Sequence, residues 1–506
     1  MARVLIYKLA SPWCCGRDRA EEVVGAELQV AEGLLLDVST RLNVVIGTNG
    51  SGKTALVEVF ELWRDLIDYA RGRVVNPFLK WWGYDRVVWR HDETLPIVLG
   101  LELFSTDPKL PRRVSYEVHI TGSGGQFRIL GEILETERDG ISLRHDTFKG
   151  TLRIEMDTKL FGESRTEKGA KSRLDLFLIN IRYGLTHRVY RDLIRDLRSL
   201  ELKPGIAMFE IPFKHSLILD ACRASDDVRR RAMATPLAFE LMEAVKDSMT
   251  EIIRQMKEVI VKPVISTEGK GSDKLLIYAL MWPALNLSAS LLVDAWFMFC
   301  KFVNGFLVIK EVDHRAVRSP QRLERHERLA PDASNFVPFL FSVTGGRVSP
   351  ALEEAVRYAM PDAGDCRLSF DVTTDGRVYL RLSTADGVSL SSAAMPSGVL
   401  KTLIVETALQ AKPTVVVIDE FENSLHPELQ QFLMDELRNS GTYVFLTTHS
   451  TVPLDYVKSP SEVVVLRLEG GETKAYRLRE EAREKLKRYG LTLSELVLSG
   501  LLEPTG

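Results

Sequence analysis

The stretch Gly47-Thr-Asn-Gly-Ser-Gly-Lys-Thr54 fits the pattern GxxxxGK[ST] and decides the fold class of this 506-residue chain. It follows the apolar run Val44-Val45-Ile46 and precedes a helical pattern from Ala55 to Ala70. A strand, a glycine-rich turn and a helix in this order predict a P-loop, in which backbone amides and a helix N-terminus bind phosphate. The alternative is a chance match, and the predicted strand and helix on either side argue against it.

Positions within this loop predict contacts with a nucleotide. Lys53 supplies a fixed positive charge to the β and γ phosphates, and Thr54 offers a hydroxyl to Mg²⁺. The other predicted contacts with ATP are Gly47, Asn49, Gly50, Ser51 and Gly52. We therefore expect ATP and Mg²⁺ as the ligands of this loop.

A second motif, Thr414-Val-Val-Val-Ile-Asp-Glu420, has the pattern of a buried strand that ends in two acids. Asp419 at the C-terminal end of the strand can hold Mg²⁺ directly or through water. Glu420 is placed to orient and polarise an attacking water as a catalytic base. The structural alternative is a buried strand that ends in two ordinary acids.

The motif Phe445-Leu-Thr-Thr-His449-Ser450 follows one helix and one strand later. At the end of the next parallel strand, His449 can meet the γ-phosphate and respond to its loss. Taken alone, the residue could equally be a capping or core histidine. Its position after the first two motifs favours the functional interpretation.

A weaker motif, Met395-Pro-Ser-Gly398, precedes a helical pattern over 399–409. Ser397, Gly398 and the N-terminus of that helix are candidates to hold the γ-phosphate of ATP bound to a second protomer. The alternative is a plain helix cap formed by Ser397 or Gly398.

The order of these motifs resembles that of ABC-type ATPase heads. The segment DEFENSLHP (Asp419–Pro427) looks especially like the SMC, RecF and OLD-like branch. The resemblance covers roughly residues 1–155 and 335–470. It implies an ATPase in which Lys53, Glu420 and His449 are catalytic and Thr54 and Asp419 bind Mg²⁺. The signature region departs from the family pattern LSGGQ, because in one register Pro396 occupies the usual Ser position.

The resemblance and the periodicity together predict an α/β P-loop NTPase head of the ABC type, with mixed and parallel sheets and flanking helices. Helices and strands alternate after residue 400, which favours βαβ units. We expect an N-terminal lobe over 1–165, a mainly helical insert over 166–334 and a C-terminal lobe over 335–506. Because only residues 450–506 follow His449, no nuclease domain of the OLD type is expected.

The predicted function is Mg²⁺-dependent ATP hydrolysis by a nucleotide-gated homodimer or higher homo-oligomer. It would serve DNA repair, chromosome maintenance or defence against phage and mobile elements. A second hypothesis is an ATP-dependent sensor or scaffold that holds and releases a separate effector protein, for example a nuclease or a toxin. The uncharged run Leu275–Val293 motivates this hypothesis, since an exposed apolar patch often marks an interface.

Double-stranded DNA is a possible partner, although the formal net charge of −3 gives no global positive field. Local candidates are Arg229-Arg-Arg231, the stretch Arg315–Arg328, and Trp81, Trp82 and Trp89 near Lys80, Arg86 and Arg90. The alternatives are solvated charged faces and core aromatic residues.

Composition favours a cytoplasmic protein. Apolar residues make up 45% of the chain and charged residues 27%, as in ordinary globular proteins. The five cysteines form no CxxC pair, so a zinc site is not expected and a reducing compartment fits best. The run 275–293 is near spanning length, but its proline and polar residues favour a buried or interfacial helix over a membrane span.

Overall fold

The computed structural model describes residues 2–5, 35–36, 40–88, 91–157, 206–212, 272–469, 472–478, 488 and 490–498. The strands are β1 (Ala2–Leu5), β2 (Leu35–Leu36), β3 (Leu42–Gly47), β4 (Ile97–Phe104), β5 (Arg113–Thr121), β6 (Arg128–Arg138), β7 (Ile141–Asp146), β8 (Thr151–Asp157), β9 (Ile206–Pro212), β10 (Phe306–Ile309), β11 (Gln321–Arg322), β12 (Cys366–Val372), β13 (Arg377–Thr384), β14 (Ser389–Ser391), β15 (Val415–Ile418), β16 (Tyr443–Thr447), β17 (Val463–Glu469) and β18 (Glu472–Arg477). The helices are α1 (Lys53–Ala70), α2 (Ser272–Asn304), α3 (His314–Arg318), α4 (Phe336–Thr344), α5 (Pro350–Ala359), α6 (Ser397–Gln410), α7 (Pro427–Asn439), α8 (Val452–Asp455) and α9 (Leu493–Leu498).

A six-stranded sheet in the order β10-β15-β16-β3-β17-β18 forms the centre of the fold. All neighbours in it pair in parallel except β17 and β18, which form an antiparallel hairpin. Strands β15 and β16 are almost entirely buried and are apolar up to Thr447 at the end of β16, as expected for a parallel sheet covered by helices on its faces. The C-terminal ends of β3, β15 and β16 therefore meet at one edge of the sheet.

An antiparallel eight-stranded sheet in the order β2-β1-β4-β5-β6-β7-β8-β9 forms a second layer. Helix α1 lies between the two sheets. On one side Phe60 packs against Phe306 and Phe445 of the parallel sheet, with ring centroids 5.4 and 5.1 Å apart. On the other side Trp63 packs against Tyr116 of β5 and Phe299 of α2. The helix that follows the P-loop is thus fixed by aromatic packing on both sides.

A small sheet contains β11, β13 and β12 in that order, with β14 paired to β13. Strands β12 and β13 pair antiparallel on either side of Thr373-Thr-Asp-Gly376, a sequence typical of a hairpin turn. The α/β fold class with mixed and parallel sheets and flanking helices is confirmed.

Three of the described strands lie within the range 166–334 that was expected to be a mainly helical insert: β9, β10 and the two-residue strand β11. Residues 206–212 form β9, which pairs with β8. Residues 306–309 form β10, which pairs in parallel with β15 at the edge of the central sheet. The central sheet thus extends into the range assigned to the insert, because the apolar residues 306–309 form its edge strand. Helical periodicity in the sequence predicts two helices of the insert, over 186–202 and 228–261. Both ranges, and with them the cluster Arg229-Arg-Arg231, lie outside the described residues.

The C-terminal half of helix α2 is buried inside the chain. Leu291, Leu292, Trp296 and Phe299 are each 0–1% exposed. Of the side chains described for the uncharged run 275–293, those of 288, 289, 291 and 292 are buried and those of 290 and 293 are partly buried, so none of them is exposed. In the described part of the chain, no helix is both long and apolar enough to cross a membrane. Cys366 is a buried free thiol, whereas Cys300 is disulfide-bonded, which departs from the expectation of reduced cysteines.

Candidate functional site

The P-loop connects β3 to α1 by a turn that requires glycine. Gly52 has φ 93° and is the N-cap of α1, and Gly50 has φ 77°. Side chains other than glycine rarely adopt this left-handed conformation. The amide of Leu56 donates to the carbonyl of Gly52 at 2.9 Å, so the helix begins directly behind the turn. Its first amides and its positive dipole end point into the loop.

Lys53 folds back over this turn. Its Nζ donates to the carbonyl oxygens of Gly47 at 2.7 Å and Thr48 at 3.0 Å. Burial lowers the pKa of Lys53, and the nearby charges of Asp419, Glu422 and Glu420 act in the opposite direction. The ammonium is therefore held in electrostatic range of the acids at the edge of the sheet.

The loop residues fit a bound nucleotide. Ser51 is fully buried, and its Oγ has no hydrogen-bond partner in the structure. A buried hydroxyl without a partner is costly, and a phosphate oxygen is a suitable acceptor. A Cβ atom at Gly50 would meet nothing within 4 Å, so this side of the loop is open. Thr54 is exposed at the start of the helix, as a metal contact requires.

Asp419 and Glu420 follow β15 at the same edge of the sheet. The amide of Asp419 donates to the carbonyl of Ile309 at 2.8 Å, which fixes its position against β10. Its side chain is buried, with 8% exposed, and Oδ1 accepts from Oγ1 of Thr447 at 2.5 Å. The same Thr447 Oγ1 accepts from the amide of Glu420 at 2.9 Å. One hydroxyl at the end of β16 thus orients both acids.

Glu420 has φ 45°, a conformation that non-glycine residues rarely adopt and that often occurs at functional sites. Its side chain is exposed, and Oε2 accepts from Nδ2 of Asn423 at 2.6 Å. The unusual backbone turns the carboxylate out of the sheet toward solvent while Asp419 stays buried. The two acids are therefore suited to different tasks, metal binding for one and proton transfer for the other.

His449 lies next to this pair. Its amide donates to Oε1 of Glu422 at 2.7 Å. Its side chain is exposed, and no hydrogen bond of the imidazole is found within the described ranges. Glu422 thus fixes the backbone of the histidine and leaves the ring free to face a ligand.

A second lysine stands close to the acids. Lys401 of α6 is 4% exposed, and burial lowers its pKa to about 8, while the charges of Asp419, Glu422 and Glu420 act to raise it. Lys401 therefore remains mainly protonated at neutral pH and balances part of the charge of the acid cluster.

Ser397 and Gly398 are the first residues of α6, and the N-cap is Pro396 with no side-chain cap. The plain helix-cap alternative therefore does not hold for either residue. A Cβ atom at Gly398 would lie 2.9 Å from the carbonyl oxygen of Ser424, so glycine is required there by close packing against the loop that follows Glu420. No hydrogen bond or ion pair between described residues joins Ser397 or Gly398 to the P-loop.

Arg318 of α3 holds the start of this helix. Its Nη1 donates to the carbonyl oxygens of Ala393 at 2.8 Å and Met395 at 2.7 Å. Its Nη2 donates to Oγ of Ser397 at 3.1 Å. A single guanidinium thus ties together three residues of the segment that leads into α6.

Replacing Thr447 by valine is expected to lower kcat for ATP by about tenfold or more and to leave KM nearly unchanged. Valine keeps the shape of threonine but removes the hydroxyl that orients Asp419 and Glu420. The P-loop is untouched, so binding should survive. Unfolding in urea should show a loss of about 1–3 kcal/mol from the unpaired buried groups.

Thr447→Ser restores the hydroxyl and should restore most of kcat. Thr442→Val is the matched control, because Thr442 immediately precedes β16 and its hydroxyl donates to the carbonyl of Pro413, away from the acids. Equal kcat values for Thr447→Val and Thr442→Val would show that the hydroxyl has no role in the reaction.

Comparison with known proteins adds a family match. The sequence model of the AAA_21 family, described as "AAA domain, putative AbiEii toxin, Type IV TA system", matches residues 303–455. The matched range includes β10, β15, β16 and α6, that is, the acid edge of the sheet. The fold is that of an ABC-type P-loop ATPase head. The match to this family covers less than a third of the chain. No curated protein matches the chain.

The solved structures that match this chain include SMC heads. The Smc head domain of Pyrococcus furiosus, with an extended coiled coil and bound to the C-terminal domain of ScpA, shares 10% identity at a TM-score of 0.37, over 92% of this chain and 98% of that one. An Smc head bound to the C-winged helix domain of ScpA shares 11% identity at a TM-score of 0.41, and the match covers 91% of this chain and 98% of that one. The SMC head domain of Thermotoga maritima shares 9% identity at a TM-score of 0.28, and the match covers 90% of this chain and 98% of that one.

Sequence reasoning missed four residues of this site. Lys401 lies inside the helical pattern over 399–409 but carries no motif of its own. Thr447 lies inside the quoted motif, and a polar residue that ends a buried strand was a usable signal. Glu422 lies inside DEFENSLHP but is not one of its predicted catalytic positions. Arg318 carries no motif, and its role is visible only in three dimensions.

Proposed function

We propose that this chain is a Mg²⁺-dependent ATPase whose site closes when two copies sandwich ATP. The observation that carries the proposal is the meeting of three segments at one edge of the central sheet. The P-loop after β3, the acids after β15 and the Thr447–His449 segment after β16 lie on adjacent strands. This edge is where open α/β sheets bind their ligands.

Each of these residues has a task in hydrolysis. Lys53 and the amides at the start of α1 hold the phosphates, and Ser51 Oγ offers a further hydrogen bond. Thr54 and Asp419 would hold Mg²⁺, which neutralises charge on the β and γ phosphates when bound. Glu420 accepts a proton from the attacking water, and His449 meets the γ-phosphate.

The described residues contain no cluster of three or more His, Cys, Asp or Glu side chains that could hold a metal ion. This fits Mg²⁺, which is usually bound by one or two protein groups together with substrate phosphates and water. The donor set of one hydroxyl and one buried carboxylate is of that kind.

The dimer completes the site. Ser397, Gly398 and the N-terminus of α6 would reach the γ-phosphate of ATP held by the P-loop of the other copy. Arg318 positions this segment through its bonds to Ala393, Met395 and Ser397. Loss of the γ-phosphate would then remove the contact that holds the two copies together.

Arg318→Gln is expected to weaken ATP-dependent dimerisation about tenfold or more and to leave ATP binding to the single chain unchanged. The substitution removes charged hydrogen bonds to the segment that presents Ser397. Dimerisation should be measured by sedimentation velocity with Mg²⁺ and ATP, in a Glu420→Gln background that prevents hydrolysis. Arg315→Gln, an exposed arginine on the same helix, is the control. Dimers of equal stability in the two variants would contradict the role given to Arg318.

Two targets of the ATP cycle remain as proposals. The first is double-stranded DNA, in repair, chromosome maintenance or defence. Of the basic stretch 315–328, Arg318 is engaged with the start of α6, and Arg328 pairs with Asp68 at 2.8 Å. Arg315, Arg322 and Arg325 are exposed and could contact phosphate. Lys80, in the aromatic segment, is paired with Glu61 and Asp65 and offers little free charge.

The second target is a separate effector protein. The matched family description includes a toxin of a toxin–antitoxin system, and this supports an effector or defence context for the ATP switch. Of the run 275–293, only the side chains from Ser288 onward are described, and most of these are buried within the chain, so they offer this target no exposed surface.

The test is the ATPase rate of the purified chain with and without double-stranded DNA, with Glu420→Gln as the inactive reference. A rate that DNA stimulates and the variant abolishes supports the DNA-acting ATPase. A rate that is indifferent to DNA but lost in the variant supports the effector switch. A rate that persists in Glu420→Gln would overturn the proposed site.

A further inference from the structure

A groove of about 970 Å³ lies between α5, α6 and α7, among helices that cover the C-terminal part of the chain. The carboxylates that line it are Glu354, Glu406, Glu428, Asp435 and Glu436. One cation, Arg357, also lines it and pairs with Asp365 at 3.4 Å. Asp435 is paired with Arg438 and Lys458. The remaining four carboxylates have no ion pair among the described residues, so the groove carries a net negative charge.

Glu406 is the most unusual of these acids. It lies in the middle of α6 among apolar core residues, and only 5% of its surface is exposed. Its Oε1 is buried without a hydrogen-bond partner in the structure. Burial and the charges of Glu436 and Glu354 raise its pKa to about 7. A carboxyl group held this way is costly, and a cation in the groove would satisfy it.

Two aromatic rings form part of the same wall. Tyr358 of α5 and Phe432 of α7 stack with centroids 4.4 Å apart and an interplanar angle of 19°. Tyr358 is 58% exposed, so one face of the pair is open to a ligand. Aromatic faces beside carboxylates favour a planar organic cation, and guanidinium combines stacking with forked hydrogen bonds.

A metal ion does not fit this groove. Within the described ranges, no three acidic, His or Cys side chains come close enough together to hold one. The carboxylates instead line a groove formed by three helices, and its volume is larger than one small ion or one guanidinium fills. A segment of protein that presents a basic side chain fits both the charge and the size.

We propose that this groove binds an arginine side chain presented by a protein partner, with Glu406 and Glu436 as its carboxylate contacts and Tyr358 as its stacking surface. The groove shares α6 with Ser397 and Gly398, so the partner would dock on the helix that is proposed to meet ATP. The binding site itself does not depend on the proposed function.

The test is binding of a fluorescein-labelled tetra-arginine peptide to the full chain at pH 8 without nucleotide, followed by fluorescence anisotropy. At this pH the Glu406 carboxyl is ionised. Glu406→Gln and Glu436→Gln are each expected to weaken binding about tenfold, and Tyr358→Ala several-fold. Glu324→Gln, an exposed acid outside the groove, should bind like the wild type. Because Glu436 is exposed, the Glu436→Gln variant should not disturb the core.

A peptide with citrulline in place of arginine is expected not to bind. Equal affinity of the citrulline peptide, or unchanged affinity of both glutamate variants, would overturn the proposal. Displacement of the peptide by an equal concentration of spermidine would also overturn it, because the groove would then be a polyamine site. Since no nucleotide is present, failure here leaves the ATPase proposal standing, and loss of ATPase activity leaves this result unaffected.

Discussion

Replacing Glu420 by glutamine is expected to lower the ATPase rate by about 10²–10⁴-fold, the usual contribution of a general base, while ATP binding is retained. Glutamine has the size of glutamate and can still accept the hydrogen bond from Asn423. Its amide cannot take up a proton from water. The backbone of residue 420, held by Thr447, should stay in place.

The prediction is checked by measuring kcat and the dissociation constant for ATP on the same preparation. ATP should also trap the variant as a dimer, since the γ-phosphate is not lost. Glu324→Gln is the matched control and should retain the full rate. A Glu420→Gln variant with near-normal turnover would assign the base to another residue and refute the role of the exposed carboxylate.

Lys53→Met is expected to weaken ATP binding about ten- to a hundredfold, since it removes charge-assisted hydrogen bonds to phosphate. Methionine preserves much of the apolar stem. Because burial lowers the pKa of Lys53, folding disfavours its charged form. Methionine removes this cost but also the hydrogen bonds to the carbonyls of Gly47 and Thr48, so the free energy of unfolding at pH 7 should change little.

Binding is measured by calorimetry and stability by thermal unfolding in the absence of nucleotide. Lys109→Ala, in an exposed loop, is the control for loss of a positive charge. Loss of binding together with a lower melting temperature would mean that Lys53 acts on the fold. A stable variant that binds ATP like the wild type would contradict the predicted contact.

Much of the central sheet could be predicted because its signals are local. The strands Val415–Ile418 and Tyr443–Thr447 are short apolar runs of mainly β-branched and aromatic residues, and the helix between them shows the expected periodicity. Chemistry-bearing residues at the ends of such strands must share an edge once the strands are parallel. The sequence alone therefore predicts that Asp419, Glu420 and His449 lie at the same edge of the sheet.

The other parts of the fold and of the site depend on contacts between residues that are distant in the sequence. Phe306–Ile309 follows directly after a long apolar helix, and periodicity alone cannot separate such a short apolar run from the helix before it. Its partner β15 lies more than a hundred residues later, so only tertiary structure identifies it as an edge strand. Arg318 likewise acts on Ser397 from a distant helix. No local pattern encodes that contact.

The central claim is that the active site forms between two copies of the chain. The most direct measurement is the ATPase rate per chain as a function of protein concentration, at saturating ATP and Mg²⁺, with Glu420→Gln as the zero reference. The account predicts that the rate per chain rises with concentration and levels off as dimers form. A rate per chain that stays constant down to concentrations at which sedimentation shows only monomers would contradict it.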